Sequence, residues 1–366
     1  MEDRIKLISL SANKELADEI AKLLNTKVMD TKLFHFADGE ILFEGQESFR
    51  GDNVYIIQST CNPVNDRLME LLICMDACKR AGAASITCVI PYFGYSRQDR
   101  KAKARQPITC KLVADLLETA GADRIVCVDL HATQTQGFFS CPLDNISPIP
   151  LFYNYLKKLN LKDIVCVSPD HGGVTRTTVL AEKFGAPIAI IDKRRPRPNE
   201  SEVIGIVGDV KDKTCIIVDD IVDTGGTLCK AALKLKELGA KTIIATISHG
   251  VLSSDAIQLI NNSVIDLMLL TDSIPLDDKK SNKIKCLSLA PILSKIIVSL
   301  EEGSPLHTAY ATISSDVPGT RIATAVAVGI PANMNNIGVI MEATGESKEE
   351  TEQRAIDMVK EAMAWR

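Results

Sequence analysis

Several signatures of common protein classes are missing from this 366-residue chain. No Gly-Lys-Ser or Gly-Lys-Thr follows its glycine pairs, which excludes a P-loop. The N-terminus carries no signal peptide, and no apolar stretch reaches the roughly 20 residues that span a bilayer. The formal net charge of −5 argues against nucleic acid as the principal partner. We therefore expect a cytoplasmic protein that binds neither membranes nor nucleic acid.

The 11 cysteines do not form a zinc motif. Cys74 and Cys78 are one helical turn apart, but no second Cys or His pair completes a site. Others lie inside apolar runs, as expected of buried thiols in a reducing compartment. The length predicts two domains, and the composition, 46% hydrophobic and 24% charged, is that of an ordinary globular protein.

Short β-rich runs alternate with amphipathic helical segments, which predicts an α/β fold with parallel sheets covered by helices. The predicted strands are Val54–Gln58, Ser85–Pro91, Arg124–Asp129, Asp163–Ser168, Pro187–Ile191, Thr214–Val218 and Lys241–Ser248. A weak internal repeat relates residues 54–90 to residues 214–247, so the two halves share a plan. The Pro-rich stretch after residue 146 predicts the boundary between domains 1–146 and 147–306.

Most of the distinctive polar residues follow directly after predicted strands. Because ligands bind outside the carboxyl ends of the strands in open α/β sheets, we expect these residues to meet in one crevice. The most informative stretch is 214–227, where an apolar strand is predicted to end abruptly at Asp219 and Asp220. Asp223-Thr-Gly-Gly-Thr227 and a predicted helix, 228–238, follow.

This loop has the composition of a phosphate site. Two glycines and two hydroxyls between a strand and a helix leave backbone N–H groups free to hold a phosphate. The carboxylates of Asp219 and Asp220 are placed to accept hydrogen bonds from vicinal hydroxyls. A phosphate cradle beside a diol acceptor predicts a sugar phosphate ligand, and the alternative is an acidic solvated turn.

Two clusters in the first half suggest a nucleotide. Phe36-Ala-Asp-Gly-Glu40 offers an aromatic face and two carboxylates at a glycine turn. The run 95–101 carries fixed cations, including Arg97, and an Arg fork can chelate phosphate oxygens. Either cluster taken alone is also typical of a solvated loop.

Metal and diphosphate ligands are predicted at two further strand ends. His131 and Asp170 are suited to a divalent cation, although a structural histidine is an equal alternative for His131. Gly172-Gly173, after His171, forms a second backbone anion site suited to a diphosphate. The basic run 192–198 is either a solvated face or a mobile loop that closes over a phosphoryl group and neutralises its charge.

With these motifs in place, residues from about 3 to 305 resemble the ribose-phosphate diphosphokinases, also called phosphoribosyl-pyrophosphate synthetases. The resemblance rests on Phe36-Ala-Asp-Gly-Glu, Gln58-Ser-Thr-Cys-Asn-Pro, Arg97-Gln-Asp-Arg, Asp129-Leu-His, Ser168-Pro-Asp, Asp192-Lys-Arg-Arg-Pro and Val218-Asp-Asp-Ile-Val-Asp-Thr-Gly-Gly-Thr. It implies two type I phosphoribosyltransferase-like domains. It also implies Mg²⁺-dependent transfer of the β,γ-diphosphoryl group of ATP to the anomeric hydroxyl of ribose 5-phosphate, with AMP leaving.

Roles follow from the resemblance position by position. It implies catalytic roles for Lys193, Arg195 and His131, Mg²⁺ binding by His131 and Asp170, and a diphosphate loop of Asp170, His171, Gly172 and Gly173. It implies ATP binding by Phe36, Asp38, Gly39, Glu40, Arg97 and Gln98. It implies ribose 5-phosphate binding by Arg195, Asp219, Asp220, Asp223, Thr224, Gly225, Gly226 and Thr227. Members are hexamers built from dimers, inhibited by ADP and activated by phosphate.

The C-terminus departs from that family. Relatives end near residue 310 in a segment that completes the regulatory site with the stretch matching 47–51, whereas this chain continues for about 60 residues. Residues 307–366 resemble part of the pyruvoyl-dependent arginine decarboxylases, through Thr308-Ala-Tyr, Ser315-Asp-Val-Pro-Gly, Ala325-Val-Ala-Val-Gly-Ile-Pro and Gly338-Val-Ile-Met-Glu342. Glu342 matches that family's catalytic acid. We find no counterpart upstream to the Ser-Ser segment that forms the pyruvoyl group, so we expect an inactive strand–strand–helix module.

Three other functions fit parts of the sequence. A catalytically silent regulatory homologue is disfavoured by the intact Lys193, Arg195 and ATP-site residues. A phosphoribosyltransferase needs the acidic loop but neither the nucleotide motifs nor a duplicated domain. A decarboxylase needs the missing precursor serine. Formation of AMP from ATP, Mg²⁺ and ribose 5-phosphate distinguishes all of these from the diphosphokinase.

Overall fold

The computed structural model describes residues 5–197, 200–277, 279, 281–304 and 306, with the backbone alone for 192–197 and 200–204. The chain divides into two compact units, residues 1–291 and residues 292–366. In the second unit the description covers 292–304 and 306, which include most of helix α8 (Ala290–Glu301). The predicted strand–strand–helix module at 307–366 lies outside the described residues. No described helix is both long enough and apolar enough to cross a membrane.

The first unit contains two parallel sheets. The first has five strands in the order β1-β4-β5-β6-β7, all parallel. These are β1 (Ile5–Ser9), β4 (Asn53–Ile57), β5 (Ser85–Ile90), β6 (Arg124–Val128) and β7 (Leu143–Ile146). Helices α1 (Lys14–Leu23), α2 (Val64–Ala81) and α3 (Thr109–Ala120) and a 3₁₀ helix (Thr133–Phe138) connect them. A separate antiparallel hairpin is formed by β2 (Thr31–His35) and β3 (Ile41–Gly45).

The second sheet has seven strands in the order β10-β9-β8-β11-β12-β13-β14. They are β8 (Ile164–Ser168), β9 (Ile188–Arg197), β10 (Glu200–Val207), β11 (Thr214–Val222), β12 (Thr242–Gly250), β13 (Leu267–Thr271) and β14 (Ile284–Leu287). Within this sheet, as far as it is described, only the pair β9–β10 is antiparallel. The associated helices are α4 (Ile149–Lys157), α5 (Val174–Phe184), α6 (Gly226–Glu237) and α7 (Ala256–Asn261).

Both faces of the second sheet are buried, which explains why its strands are continuous apolar runs. Along β11, Cys215 and Ile217 pack into one core cluster and Ile216 and Val218 into another. The predicted parallel α/β fold is confirmed, and Cys88, Cys127, Cys166 and Cys215 are buried as expected.

The two sheets of this unit also contact each other directly. Tyr92 and Cys61 from the first half pack with Ile274 from the second. Beneath them, Asn13 Oδ1 accepts a hydrogen bond from Ser59 N at 2.6 Å, and Ser59 Oγ donates to the carbonyl of Ser273 at 2.5 Å. Buried hydrogen bonds are directional, so this seam fixes how the carboxyl ends of the two sheets face each other.

The predicted end of strand β11 was wrong, and several strands were not predicted. Strand β11 does not end at Val218 but runs to Val222, because it stays paired with β12 after its pairing with β8 stops at Ile217. Asp219 and Asp220 therefore lie within a strand. The prediction also omitted β1, the β2–β3 hairpin, β7, β10, β13 and β14.

Candidate active site at the carboxyl ends of the strands

The order in which successive strands are added to the second sheet reverses at β8. The next strand in sequence, β9, lies on one side of β8, and β11 lies on the other. Such a point leaves a crevice outside the carboxyl ends of the strands, where ligands bind in open α/β folds. Helices α5 and α6 begin beside this crevice, at Val174 and Gly226.

The predicted sugar-phosphate loop lies at the start of α6. Gly225 precedes the helix with a φ of +77°, a left-handed conformation that favours glycine. A Cβ at Gly226 meets nothing closer than Thr224 Oγ1 at 4.0 Å, so the space over the loop is open. The N-terminus of this 12-residue helix, with exposed Thr224 and Thr227, has the arrangement of an anion cradle.

The predicted diphosphate loop forms a second turn, at the start of α5. Asp170 Oδ1 accepts a hydrogen bond from Gly173 N at 3.1 Å, and Ser168 Oγ donates to the carbonyl of Asp170 at 2.7 Å. A Cβ at Gly173 would lie 3.0 Å from Ser168 Oγ, so a side chain there would require Ser168 to shift by a few tenths of an ångström. His171 and Gly172 are exposed at its tip.

A chain of ion pairs joins the carboxyl ends of the two sheets. Arg176, in the first turn of α5, places Nε 3.0 Å from each carboxylate oxygen of Asp129, which follows β6. Its Nη1 lies 3.8 Å from Asp220 Oδ1 on β11. The other oxygen, Asp220 Oδ2, is 2.7 Å from His131 Nδ1. Ser248, from β12, donates its hydroxyl proton to Asp129.

These contacts shift the pKa values of the neighbouring residues Asp219 and Asp220 in opposite directions. Burial raises the pKa of Asp219 well above its usual range, and the nearby charges of Asp220 and Asp170 raise it further. Burial acts the same way on Asp220, but the hydrogen bond with His131 and the charge of Arg176 outweigh it, so the pKa of Asp220 is far below its usual value. The hydrogen bond to Asp220 raises the pKa of His131.

The predicted nucleotide residue Arg97 meets the sugar-phosphate loop. Its Nη1 lies 2.8 Å from Asp223 Oδ2, across 126 residues of sequence. Asp223 also accepts a hydrogen bond from the Ser253 hydroxyl, and these contacts outweigh burial, so the pKa of Asp223 is lowered. Gln98 accepts a hydrogen bond from Thr109 Oγ1 at 2.6 Å. Both residues line an open cavity of about 490 Å³ against the start of α2.

The other predicted nucleotide residues, 36–40, form the exposed tip of the β2–β3 hairpin. Phe36 N donates to the carbonyl of Glu40 at 2.8 Å, Glu40 N donates to Asp38 Oδ1 at 3.1 Å, and Gly39 has a φ of +94°. Among the residues that the structure describes, no hydrogen bond or ion pair joins this tip to Arg97 or Gln98. Their common role as one ATP site stays a prediction.

The basic run is not the loop that the sequence suggested. Residues 192–197 continue strand β9 and pair with β10 in an antiparallel hairpin. Pro196 falls at a register shift between the pairs Arg197–Glu200 and Arg194–Glu202, where no regular ladder bond is needed. The side chains of Lys193 and Arg195 lie outside the description, so their roles stay predictions.

Arg176 and Ser253 were missed by the sequence reasoning. Arg176 lies three residues after Gly173, in the first turn of the helix that follows the predicted diphosphate loop. A cation at this position is a sequence signal that could have identified it as a site residue. Ser253 follows a buried strand end but belongs to no recognisable spacing. His249, which contacts the carbonyl of Asp129 through Nε2 at 3.2 Å, lies one residue beyond the predicted strand.

Comparison with known families agrees with this arrangement. Residues 5–121 match the N-terminal domain of ribose phosphate pyrophosphokinase, and residues 149–258 match the phosphoribosyl transferase domain. Residues 289–366 match pyruvoyl-dependent arginine decarboxylase, so both resemblances seen in the sequence are confirmed.

Individual relatives are similar over most of the chain. The ribose-phosphate pyrophosphokinase of Listeria ivanovii is 52% identical over 309 residues, 84% of this chain and 97% of that protein. That of Bacillus subtilis (strain 168) is 52% identical over 299 residues, 81% of this chain and 94% of that protein. The crystal structure of phosphoribosylpyrophosphate synthetase from Mycobacterium smegmatis superimposes with a TM-score of 0.77 at 41% identity, covering 82% of this chain and 100% of that one. The chain therefore belongs to the ribose-phosphate pyrophosphokinase family.

Proposed function

We propose that the crevice described above binds ATP and ribose 5-phosphate side by side and carries out the family reaction. The anomeric hydroxyl of the sugar loses its proton to solvent as its oxygen bonds to the β-phosphorus of ATP, the bond from that phosphorus to the α-phosphate oxygen breaks, and AMP leaves. The observation that carries the proposal is the 2.8 Å contact of Arg97 with Asp223, because it brings the nucleotide cluster of one half to the sugar-phosphate loop of the other.

Ribose 5-phosphate occupies the start of α6 in this proposal. The loop 223–227 offers backbone N–H groups, hydroxyls and the positive end of a helix to the 5-phosphate. Asp219 lies on β11, the strand that leads into this loop, and is half-buried. Its carboxylate accepts hydrogen bonds from the sugar hydroxyls in this proposal. With its 5-phosphate at the start of α6, the sugar places its anomeric carbon between the starts of α5 and α6.

ATP occupies the side of Arg97. Its guanidinium is exposed on the crevice side of the first half, where it can release Asp223 and bind phosphate oxygens. The diphosphate loop 170–173 supports the transferring group. Roles for Lys193 and Arg195 in neutralising that group, and for residues 36–40 in holding the base, rest on the family resemblance.

The described residues suit Mg²⁺ as the cofactor. Asp129, Asp170, Asp219 and Asp220 gather here, and burial together with the charges of Asp220 and Asp170 raises the pKa of Asp219, an effect that a bound cation would oppose. Within the part of the chain that is described, no three His, Cys, Asp or Glu side chains form a ready metal cluster. Mg²⁺ commonly takes one or two protein ligands and completes its shell with water and phosphate oxygens. His131 and Asp170 would hold it, and it would neutralise charge on the substrate phosphates.

Assembly and location are proposed from the family as well. We infer a homohexamer built from dimers, with the exposed apolar pair Phe34 and Leu42 on the β2–β3 hairpin as one surface available for contact. A cytoplasmic location is supported by the 11 cysteines, all free. Mass measurement in solution, with full-length protein and with residues 307–366 removed, tests the assembly.

The direct test is formation of AMP from ATP. Purified protein is incubated with ATP, Mg²⁺ and ribose 5-phosphate, and AMP and the sugar diphosphate are measured. The controls omit ribose 5-phosphate, which reveals simple ATP hydrolysis, or supply EDTA. AMP that forms only with ribose 5-phosphate and Mg²⁺ supports the proposal. No AMP under any condition would support the silent homologue instead.

A further inference from the structure

Asp220 differs from its neighbour Asp219 in what it contacts. Asp220 is only 5% exposed, and both of its carboxylate oxygens face charged side chains from other elements. Oδ2 faces His131 Nδ1 at 2.7 Å and Oδ1 faces Arg176 Nη1 at 3.8 Å. A carboxylate committed in this way has little left to offer a sugar hydroxyl, whereas the 2.7 Å contact with His131 involves Asp220 and not Asp219.

Arg176 is held as firmly as the group that it faces. Its side chain is 15% exposed, and Nε contacts both oxygens of Asp129. Asp129 in turn accepts the hydroxyl proton of Ser248, and its carbonyl faces the buried His249. The chain of contacts therefore runs from β12 through β6 and α5 to β11, and ends at His131.

The contact between Asp220 and His131, the last in this series, determines which nitrogen of the imidazole carries the proton. An ionised carboxylate can only accept, so the nitrogen 2.7 Å from Asp220 must carry the proton. When one nitrogen of a neutral imidazole donates to a carboxylate, the other keeps its lone pair, and this is how carboxylates orient histidines that bind metal ions. His131 is partly exposed, with 41% of its side chain accessible.

We propose that Asp220 and Arg176 are positioning residues for His131, fixing the tautomer with the proton on Nδ1 so that Nε2 faces the Mg²⁺ and phosphate side of the crevice. The sequence had placed Asp220 among the ligands of ribose 5-phosphate. This inference rests on the proposed function, since it assigns His131 its part at that site.

The decisive variant is Asp220→Asn. Arg176 has donors only, so the amide oxygen of the new side chain turns toward it. The amide NH₂ group then faces His131 Nδ1, which must become an acceptor. We therefore expect the tautomer to invert, with the proton on Nε2. Asp219→Asn is the matched control, because it makes the same substitution at the adjacent residue, whereas the His131 contact is made by Asp220.

The readout is long-range ¹H–¹⁵N correlation NMR of ligand-free protein labelled at histidine, at a pH where the imidazoles are neutral. The chain has 5 histidines, and His131→Gln identifies the signal. We expect Nδ1–H in the unmodified protein and in Asp219→Asn, and Nε2–H in Asp220→Asn. The double variant Arg176→Met/Asp220→Asn removes the group that orients the amide, so a mixture of tautomers is expected. An unchanged His131 signal in Asp220→Asn would overturn the proposal.

Binding measurements separate this role from that of a sugar ligand. Asp220→Asn should raise the Mg²⁺ concentration for half-maximal turnover by roughly 10–100-fold, the usual effect of losing a partner behind a metal ligand. Calorimetric affinity for ribose 5-phosphate should fall in Asp219→Asn and stay within about twofold in Asp220→Asn. Equal losses of sugar affinity in both variants would instead make Asp220 a sugar ligand. If the unmodified protein forms no AMP, the proposed function fails, but the tautomer result still decides the positioning role.

Discussion

Replacing each of the two glycines of the sugar-phosphate loop by alanine should affect stability and ligand affinity differently. Gly225 has a φ of +77°, and Gly226, the first residue of α6, has an ordinary helical backbone. A Cβ at Gly225 would meet Ile260 Cγ1 at 3.6 Å, an ordinary contact, so the backbone conformation and not crowding opposes it. A Cβ at Gly226 meets no protein atom closer than 4.0 Å but extends into the open cradle.

The expected magnitudes follow from these geometries. A residue with a Cβ in the left-handed region costs about 1–2 kcal/mol, so Gly225→Ala should lower the free energy of unfolding by about that amount. Gly226→Ala removes a flexible residue from a helix and should leave unfolding unchanged or raise its free energy by about 0.5–1 kcal/mol. Its effect should appear in ligand affinity alone, because the methyl group occupies the place where a phosphate approaches the backbone. Gly225→Val should be worse than alanine, since β-branched residues rarely adopt a positive φ.

Thermal unfolding and calorimetric titration with ribose 5-phosphate and with ATP test this pair. We expect Gly226→Ala to fold normally, bind ATP as before and lose most of its affinity for ribose 5-phosphate. Gly225→Ala should lose stability as well as sugar affinity. Equal losses of ATP and ribose 5-phosphate affinity in Gly226→Ala would refute the assignment of this loop to the sugar phosphate.

Three further predictions concern the basic strand, a buried acid and the extension. Lys193→Ala should lower turnover roughly 10²–10³-fold with the KM for ATP little changed, because its charge acts mainly in the transition state; a variant that keeps half its turnover contradicts this role. Burial, aided by the nearby Glu19, raises the pKa of Asp272 to about 6, so its contribution to stability is present below about pH 4 and is lost as the pH rises through 6. The free energy of unfolding of Asp272→Asn, relative to that of the unmodified protein, should therefore rise by up to about 2–3 kcal/mol between pH 4 and 7 in denaturant titrations. A difference between the two proteins that does not change with pH would contradict this. Deleting residues 307–366 should leave turnover intact, and the full-length chain should respond weakly to phosphate and ADP; strong phosphate activation would refute this. Its intact mass should show no cleavage at the adjacent serines Ser314 and Ser315, and a pyruvoyl group would overturn the view that the extension is inactive.

The fold was accessible from the sequence because the buried strands are unusually apolar. The consecutive apolar residues 215–218 and 243–245 are buried, and such runs are typical of strands covered on both faces. The hairpin strands β2 and β3 were missed because they are largely exposed and mix polar with apolar residues. The extension of β9 through 192–197 was missed because charge and proline normally argue against a strand, and only an edge hairpin with a register shift accommodates both.

The site was accessible where chemistry is local and inaccessible where it depends on contacts between halves. The loop 223–227 could be recognised because its glycines and hydroxyls are consecutive. The partners of Asp223 and Asp220, namely Arg97 and His131, come from the other half of the chain, and no spacing in the sequence announces them. Consecutive aspartates suggested one shared role, yet the structure pairs Asp220, and not Asp219, with His131.

Those cross-half contacts have an energetic consequence for the site as a whole. Four carboxylates at the facing carboxyl ends of the two sheets repel each other, and burial makes that repulsion stronger. The compensating charge of Arg176 is bound to Asp129 of the first half, and His131 of the first half holds Asp220 of the second. The packing of Tyr92 and Cys61 against Ile274 keeps the halves in that register. Substitutions in this seam, although remote from the substrates, should therefore impair the reaction by separating carboxylates from the groups that stabilise them.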